Sequence, residues 1–250
     1  MSNGHPVALI TGAARRLGAA IAHRLHEDGY DIALHYRESS GEATALAAQF
    51  NATRPNSALQ LQAELTALDR LPELIAGAVG HFGRLDALVN NASAFFPTPV
   101  GTTTPAQWDA LFAINVRAPY FLAQAAAPHL KATNGGIINL VDIHGERPLR
   151  DHAVYGMTKA ALIHMTRALA LELAPHVRVN AVAPGAILWP ESDYGSAMSS
   201  VTQAALLART PLARIGTPRE IADAVRWLLR EATYTTGQII RVDGGRLLDA

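Results

Sequence analysis

The sequence predicts an α/β fold with a doubly wound parallel sheet of about seven strands and helices on both faces. Short apolar runs alternate with helical patterns along the whole chain, as expected when a crossover helix follows each strand. With 250 residues, of which 49% are hydrophobic, the chain can bury one large core. It contains no internal repeat, low-complexity tract or linker, so we expect residues 1–250 to form a single domain.

The composition excludes several classes of protein. The 21 basic and 21 acidic residues balance and form no run of like charge, so nothing indicates a nucleic-acid or membrane-surface partner. The chain has no Cys, which excludes disulfides, thiolate catalysis and cysteine zinc sites. The N-terminus lacks the basic start and long apolar run of a signal peptide, and no apolar stretch reaches about 18 residues. We therefore expect a cytoplasmic enzyme that acts on a small molecule.

The first strand and the turn after it form a candidate nucleotide site. Residues 7–10 are a short apolar run, T-G-A-A-R-R-L-G follows at 11–18, and a helical pattern covers 17–25. Gly12 allows a tight turn, Gly18 allows the helix to approach the strand, and the free N–H groups at the helix start can hold a pyrophosphate. The spacing departs from G-x-G-x-x-G, and a purely structural glycine turn is the alternative.

Basic side chains near this turn indicate the kind of dinucleotide. Arg15 and Arg16 place cationic groups where the phosphates would lie. Arg37 follows the second strand, where a dinucleotide-binding fold contacts the adenosine ribose. An acidic residue there would bind the 2′-hydroxyl of NAD, whereas Arg37 with Ser39 can bind the 2′-phosphate of NADP. We predict NADPH as the cofactor, and a solvated surface arginine is the alternative.

The remaining elements follow from the same patterns. We predict strands at 31–36, 58–62, 85–89, 137–141, 177–183 and 238–242, and helices at 41–50, 68–82, 108–130 and 218–229, with Thr217 as the N-cap of the last. Glu64 follows the third strand and can meet the adenine, although an ordinary exposed glutamate is an equal alternative. Residues 186–210 form a long polar segment, whose length is typical of a substrate-binding loop or lid.

A loop with aromatic and amide side chains follows the fourth strand. It reads N-N-A-S-A-F-F-P-T-P, and loops at such strand ends line ligand crevices in doubly wound sheets. Outside a strand or helix, the rings of Phe95 and Phe96 need either a core or a ligand to cover them. The residues alone leave both possibilities open.

Three residues near the fifth strand suit proton transfer. Tyr155 and Lys159 are four residues apart in a helical pattern, so they share one helix face. An ammonium fixed beside a phenol is expected to lower the phenol pKa from about 10. Asp142 stands at the end of the strand, and a coincidental surface pair of Tyr155 and Lys159 is the alternative.

Four of these features coincide in order: T-G-x-x-x-x-x-G, N-N-A-S, Asn115 in the next helix, and Tyr155-x-x-x-Lys159. The chain resembles the short-chain dehydrogenase/reductase family over essentially its full length, which implies a Rossmann-like fold and hydride transfer. The resemblance implies that Tyr155 is the proton donor and that Lys159 lowers its pKa and binds the nicotinamide ribose. Asn115 would order a water leading to the lysine, and Pro184 and Gly185 would contact the nicotinamide.

Departures from the usual family pattern indicate which group within the family the chain resembles. Asp142 replaces the usual serine thirteen residues before the tyrosine, and Arg16 replaces the middle glycine of the first turn. Both substitutions occur in pteridine reductases, as do H-Y-R after the second strand, N-N-A-S-x-F, and P-G-x-x-L-x-P, present here at 184–190. By this likeness Phe95 would stack a pterin against the nicotinamide, and Asp142 would assist Tyr155.

The resemblance also implies the full set of site residues. The catalytic residues are Asp142, Tyr155, Lys159 and Asn115. The substrate-binding residues are Arg16, Ser93, Phe95, Asp142, Tyr155 and Trp189. The cofactor-binding residues are Gly12, Arg15, Arg16, Leu17, Gly18, His35, Tyr36, Arg37, Ser39, Glu64, Asn91, Ala92, Ser93, Tyr155, Lys159, Pro184 and Gly185.

The chemistry of a pterin agrees with Asp142. Reducing a ring C=N bond requires a hydride at carbon and a proton at nitrogen, and a carboxyl group beside the phenol can relay or hold that proton. A serine suits a ketone better, because its hydroxyl donates to the developing oxyanion whereas an ionised aspartate repels it.

Other functions stay open as alternatives. One is a generic carbonyl or 3-oxoacyl reductase of the same family, and another is a nucleotide-binding regulator without catalysis. We expect no metal site, because His23 and His26 lack accompanying carboxylate ligands and suit a solvated helix face. Family relatives are commonly homotetramers, so we expect that assembly here.

Overall fold

The apolar runs of the sequence pair in one parallel sheet of the computed structural model, which describes residues 4–188 and 199–248. The seven strands are β1 (Val7–Ile10), β2 (Asp31–Tyr36), β3 (Ala58–Gln62), β4 (Ala87–Asn90), β5 (Gly136–Leu140), β6 (Arg178–Pro184) and β7 (Ile239–Val242). Their order across the sheet is β3-β2-β1-β4-β5-β6-β7. The chain runs outward from β1 to β3 and then continues from β4 on the other side, so ligands are expected at the carboxyl ends of β1 and β4. The predicted fold class is confirmed.

Helices cover both faces of this sheet. They are α1 (Arg16–Glu27), α2 (Ser40–Thr53), α3 (Leu71–Phe82), α4 (Pro105–Phe112), α5 (Ala118–Thr133), α6 (Ala153–Leu173), α7 (Ser200–Ala208) and α8 (Pro218–Arg230). Buried side chains of α1, α2 and α8 form one apolar cluster with the sheet, and those of α3, α5 and α6 form the other. Because both faces are covered, the central strands are apolar throughout rather than alternating.

The register of the sheet brings the strand ends to one level. Ile10 of β1 pairs with Leu34 of β2 and with Val89 of β4. Asn90 at the end of β4 pairs in turn with Asn139 of β5. The turn after β1 and the loops after β4 and β5 therefore emerge at the same edge of the sheet, where the candidate site lies.

The predicted helical stretch at 108–130 is confirmed, although its bounds and its internal geometry differ from a regular α-helix. It starts earlier, because Thr104 forms a reciprocal capping box with Gln107, which the sequence analysis missed. The helix is interrupted at Ala113–Arg117 by a π-helical turn, after which Pro119 enters the first turn of α5. π-helical turns frequently mark functional sites.

Two further predictions concern the last third of the chain. Residues 186–210 were predicted to be a polar loop, but Ser200–Ala208 form helix α7, which the Ser199 side chain caps by accepting from the Thr202 N–H. The start of α8 is confirmed, because Thr217 and Glu220 form a capping box with Pro218 in the first turn.

In the part of the chain that the structure describes, no helix has the length and apolarity needed to span a membrane. Within residues 4–188 and 199–248, no group of three or more His, Asp or Glu side chains is arranged to hold a metal ion.

Candidate active site

The turn after β1 is shaped for close approach to a ligand. Gly12 has a φ of +62°, a left-handed conformation that favours glycine. A Cβ atom on Gly18 would lie 2.7 Å from Nδ2 of Asn91 and closer still to the Gly12 carbonyl oxygen, so the helix can pack here only because Gly18 has no side chain. Asn91 locks the arrangement by donating to the carbonyl oxygens of Thr11 and Gly12 at 2.8 and 3.1 Å.

The start of α1 suits a pyrophosphate. Arg15 occupies the N-cap, and no side chain caps the helix there, so its first N–H groups stay available to an anion. Arg16 and Leu17 line the cleft in front of this helix end. Arg15 instead has its guanidinium 3.8 Å from Glu42 of α2. The residues present therefore fit a dinucleotide phosphate, with Arg16 as the cation beside it.

Arg16 adopts an unusual backbone conformation. Its φ is +53°, in the left-handed region that side chains with a Cβ rarely occupy. The usual family glycine at this position would accept that conformation without strain. Strain of this kind persists only where the surrounding structure imposes it, and it is concentrated at functional sites.

The end of β2 is polar and exposed. The Arg37 guanidinium lies 3.1 Å from Glu38 and 3.9 Å from Glu64, and its side chain is more than half exposed. Ser39 occupies the N-cap of α2 without donating or accepting a capping hydrogen bond. Arg37 and Ser39 both follow the end of β2, and Glu64 is an ion-pair partner of Arg37.

Thr11 and Asn115 hold the loop that follows β4. The Thr11 hydroxyl accepts from the N–H groups of Asn91 and Ala92 at 2.9 and 3.0 Å. Asn115 lies in the π-helical turn and is 1% exposed. Its Oδ1 accepts from the Ala94 N–H at 2.8 Å and from the Ser93 hydroxyl at 3.1 Å.

The Asn115 amide also reaches α6. Its Nδ2 donates to the Ala94 carbonyl at 2.9 Å and to the Thr158 hydroxyl at 3.0 Å. Each of these Asn115 hydrogen bonds is made to a protein atom, so the side chain joins the loop after β4 to the helix that carries Tyr155. Thr158 was missed by the sequence analysis, although it directly precedes the predicted lysine.

Asp142, Tyr155 and Lys159 meet at the base of the cleft. The Tyr155 hydroxyl donates to Oδ2 of Asp142 at 2.8 Å, and the other carboxylate oxygen accepts from the His144 N–H at 2.8 Å. Lys159 is 3% exposed and donates from Nζ to the Leu140 carbonyl at 3.0 Å. Its ammonium lies 5.6 Å from the centroid of the Tyr155 ring.

The protonation of these groups differs from the sequence-based expectation. Burial, reinforced by the charge and hydrogen bond of Asp142, raises the pKa of Tyr155 well above 10. The predicted lowering by the lysine is therefore wrong for this arrangement. Burial lowers the pKa of Lys159 to about 8, against the opposing effect of Asp142. At neutral pH the phenol keeps its proton and the lysine keeps its charge.

The Phe95 ring packs between the side chains of Tyr155 and His152. Its ring packs edge-on against Tyr155 with centroids 4.7 Å apart and an interplanar angle of 86°. On one face it stacks with the imidazole of His152, with centroids 4.5 Å apart and an angle of 14°. Phe95 remains partly exposed, so a flat ligand can reach it. His152 was missed, because only the fold brings it beside Phe95.

Pro184 and Gly185 close the opposite wall. A Cβ atom on Gly185 would lie 2.6 Å from Cα of Asp243, so the glycine allows the chain after β7 to pack against the site. The cleft has a volume of about 220 Å³. Its lining residues are Arg16, Leu17, Asn91, Ser93, Leu140, Val141, Asp142, Tyr155, Lys159, Pro184, Gly185, Ala186, Ile187 and Leu188.

The lining includes residues that the sequence analysis did not predict, namely Leu140, Val141, Ala186, Ile187 and Leu188. The last three belong to the P-G-A-I-L run, which was the available signal for them. The predicted substrate residue Trp189 lies outside the described residues.

The chain is similar to known proteins over almost its whole length. A family model described as "Enoyl-(Acyl carrier protein) reductase" matches residues 12–246. Pteridine reductase 1 of Leishmania tarentolae is 39% identical over 96% of this chain and 96% of its own length. A 3-oxoacyl-[acyl-carrier-protein] reductase of Staphylococcus aureus is 37% identical over 95% and 96%. A putative ketoacyl reductase of granaticin polyketide synthase from Streptomyces violaceoruber is 37% identical over 96% and 95%.

The fold, the cleft and these similarities define an oxidoreductase that uses a nicotinamide cofactor. The chain belongs to the short-chain dehydrogenase/reductase family, which confirms the broader resemblance. The identities to the pteridine reductase and to the 3-oxoacyl reductase are nearly equal, so overall similarity does not select the substrate.

Proposed function

We propose that this protein is an NADPH-dependent pteridine reductase that transfers hydride to a C=N bond of a pterin or dihydropterin. The observation that carries the proposal is the hydrogen bond of 2.8 Å from the Tyr155 hydroxyl to the Asp142 carboxylate. It places a carboxylate, instead of the usual serine hydroxyl, directly beside the proton donor.

The carboxylate suits reduction at nitrogen. When hydride adds to a C=O bond, negative charge develops on oxygen, and a carboxylate at this position would repel it. When hydride adds to the carbon of a C=N bond, the ring nitrogen takes a proton and no lasting oxyanion forms. Asp142 is therefore compatible with a pterin and unfavourable for a ketone.

The chain's own residues supply the proton and hold the substrate. A bound reduced nicotinamide supplies the hydride. Tyr155 gives its phenolic proton to the substrate nitrogen, Asp142 orients that hydroxyl by accepting its hydrogen bond, and the phenolate regains a proton from water after the reaction. Lys159 stabilises the phenolate by its charge, 5.6 Å from the ring centroid.

Phe95 provides the platform for a flat heterocycle. Its ring is held edge-on to Tyr155, so a ligand stacked on it lies next to the phenol. Offset aromatic contact contributes about 1 kcal/mol beyond burial, which favours planar substrates modestly. Phe95 is not itself among the residues that line the cleft, whereas Ser93 and Arg16 line it and can contact the pterin or the phosphates. From the start of the predicted substrate segment, Ala186, Ile187 and Leu188 line the cleft.

Arg37 and Ser39 support NADPH as the cofactor. Their position at the end of β2 is where a 2′-phosphate would lie, and the guanidinium is accessible there. Wild-type enzyme should prefer NADPH over NADH, and Arg37→Ala should reduce that preference mainly through the Kd of NADPH. A wild-type preference for NADH would refute this assignment.

A 3-oxoacyl reductase is the second candidate function. Two of the relatives, from Staphylococcus aureus and Streptomyces violaceoruber, carry names of this kind at 37% identity. A catalytic tyrosine and lysine are common to both reactions, so the distinction rests on Asp142 and Phe95.

NADPH oxidation should be followed with oxidised biopterin, dihydromonapterin, dihydrobiopterin and dihydrofolate, and in parallel with a 3-oxoacyl thioester. Turnover of a pterin is the expected result. Turnover of the thioester without any pterin activity would establish the second candidate.

Two variants test the assigned residues in the same assay. Tyr155→Phe removes the proton but keeps the ring, so it should abolish turnover while NADPH still binds. Asp142→Ser should lower pterin turnover at least about tenfold, and serine can still accept from the His144 N–H. Unchanged pterin turnover in either variant would contradict its assigned role.

We also propose a homotetramer in the cytoplasm. Trp108, Tyr120, Phe121 and Met157 are exposed apolar side chains on α4, α5 and α6 and suit burial between subunits. Light scattering of the purified protein should give four times the mass of the 26.6 kDa chain, and a monomeric mass would contradict this assembly.

A further inference from the structure

His35 is a buried histidine whose two ring nitrogens both contact the protein. It is 2% exposed. The N–H of Gly12 donates to Nδ1 at 3.1 Å, and Nε2 lies 3.2 Å from the carbonyl oxygen of Ala63. An N–H only donates and a carbonyl only accepts, so these contacts require a neutral ring with its proton on Nε2.

These contacts join three parts of the fold. His35 belongs to β2, Gly12 to the turn before α1, and Ala63 to the chain just after β3. The backbone adds to the link, because the Ala13 N–H donates to the His35 carbonyl at 2.8 Å. The imidazole thus fixes the first N–H of the glycine turn, and the following part of the turn faces the cleft.

We propose that His35 is a positioning residue for dinucleotide binding, whose neutral imidazole holds the Gly12 N–H and so fixes the turn around the pyrophosphate. This rests on the proposed function only in requiring that the turn bind a dinucleotide. It differs from the direct cofactor contact expected from the sequence, because both ring nitrogens already have protein partners.

The arrangement depends on protonation. A second proton on Nδ1 would face the Gly12 N–H, so the two donors would repel and the contact would be lost. Burial lowers the pKa of His35, while the hydrogen bond to Ala63 and the charge of Glu64 oppose that effect. Glu64, beyond β3, is the charged side chain of the described residues that acts on the ring, and it is itself paired with Arg37 at 3.9 Å.

Calorimetric binding of NADP⁺ between pH 8 and pH 5 tests the proposal with two variants. His35→Asn places an amide oxygen near the Nδ1 position and does not titrate, whereas His35→Gln reaches toward Ala63 and leaves the Gly12 N–H without its acceptor. At pH 7.5 the asparagine variant should bind within about twofold of wild type, and the glutamine variant about 3- to 10-fold more weakly. Because burial lowers the pKa of His35, wild-type affinity should fall relative to the asparagine variant only once the pH drops below that lowered pKa.

Wild-type affinity in His35→Gln, or an affinity of His35→Asn as low as that of His35→Gln, would overturn the proposal, because only the asparagine offers the Gly12 N–H an acceptor. Circular dichroism confirms that each protein is folded. If the glutamine variant does not fold, His35→Asn decides through its binding of NAD⁺. An NAD⁺ affinity of His35→Asn about tenfold or more below that of wild type would then overturn it.

The two nucleotides also separate this proposal from the cofactor assignment. The pyrophosphate is common to both, so the His35 substitutions should weaken NADP⁺ and NAD⁺ binding by equal factors. If Arg37 does not bind the 2′-phosphate, the ratio of NADP⁺ to NAD⁺ affinity will differ from that expected, but the effect of the His35 substitutions on each affinity will not. Neither result depends on which substrate the enzyme reduces.

Discussion

Substitutions at Arg16 should change the stability of the protein and its affinity for NADPH independently. Its φ of +53° places a residue with a Cβ in the left-handed region, which costs about 1–2 kcal/mol relative to glycine. Arg16→Gly removes that strain, although glycine adds about 0.4–1 kcal/mol of chain entropy to the unfolded state. Arg16→Ala removes the same guanidinium contacts but keeps the strain. The glycine variant should therefore be more stable than the alanine variant by about 1 kcal/mol, a Tm difference of about 2–4 °C.

Both variants should lose NADPH affinity to the same extent. A charge-assisted contact contributes about 1.5–3 kcal/mol, so the Kd should rise about 10- to 100-fold in each. Ala213→Gly is a matched control, because Ala213 has a φ of +52° and is not among the cleft-lining residues. It should gain stability without any change in Kd. Equal Tm values for the Arg16 variants would refute the strain argument, and a wild-type Kd in both would refute the role of the guanidinium.

Three further predictions concern other parts of the molecule. Burial lowers the pKa of His26 from 6.5 to about 4, so its stabilising effect is complete above pH 6.5 and is lost as the pH falls toward 4. Between pH 7 and pH 5 the free energy of unfolding, measured in urea, should fall by about 2 kcal/mol more in wild type than in His26→Gln. An equal fall in the two proteins would contradict this. Arg178 donates to three carbonyls at the end of α8. Arg178→Met should lower the unfolding free energy by about 2–4 kcal/mol with Arg178→Lys intermediate, whereas a loss below about 0.5 kcal/mol would exclude this capping. His152→Ala should raise the pterin KM severalfold while His152→Phe retains the stack on Phe95, and equal KM values would show that the stack is not needed.

The fold could be predicted because its signals are local. Short apolar runs, glycine turns and the Thr217 cap each depend on neighbouring residues, and they located β1, β2 and β3 with the bounds observed. The helical stretch at 108–130 was predicted, but the π-helical turn within it was not, and Asn115 in that turn contacts residues distant in the sequence.

The site was predicted less completely, because several of its contacts join residues that are far apart in the sequence. Arg16, Tyr155 and Lys159 belong to sequence motifs, and the structure brings them to one cleft. The stack of His152 on Phe95 and the contact of His35 with Gly12 join segments 57 and 23 residues apart, so no spacing rule could indicate them. The pKa of Tyr155 depends on burial, which the spacing of a tyrosine and a lysine does not contain.

The direction of that pKa shift bears on the reaction itself. An enzyme that oxidises an alcohol needs a tyrosine that accepts a proton near neutral pH, so a phenol pKa lowered by the lysine is an advantage. Here Asp142 and burial keep Tyr155 protonated, which disfavours that role and supplies a proton for reduction. The charge of Lys159 then matters after the proton has left, when it stabilises the phenolate against the neighbouring carboxylate. Burial and the charge and hydrogen bond of Asp142 therefore act together to keep the Tyr155 proton available for reduction.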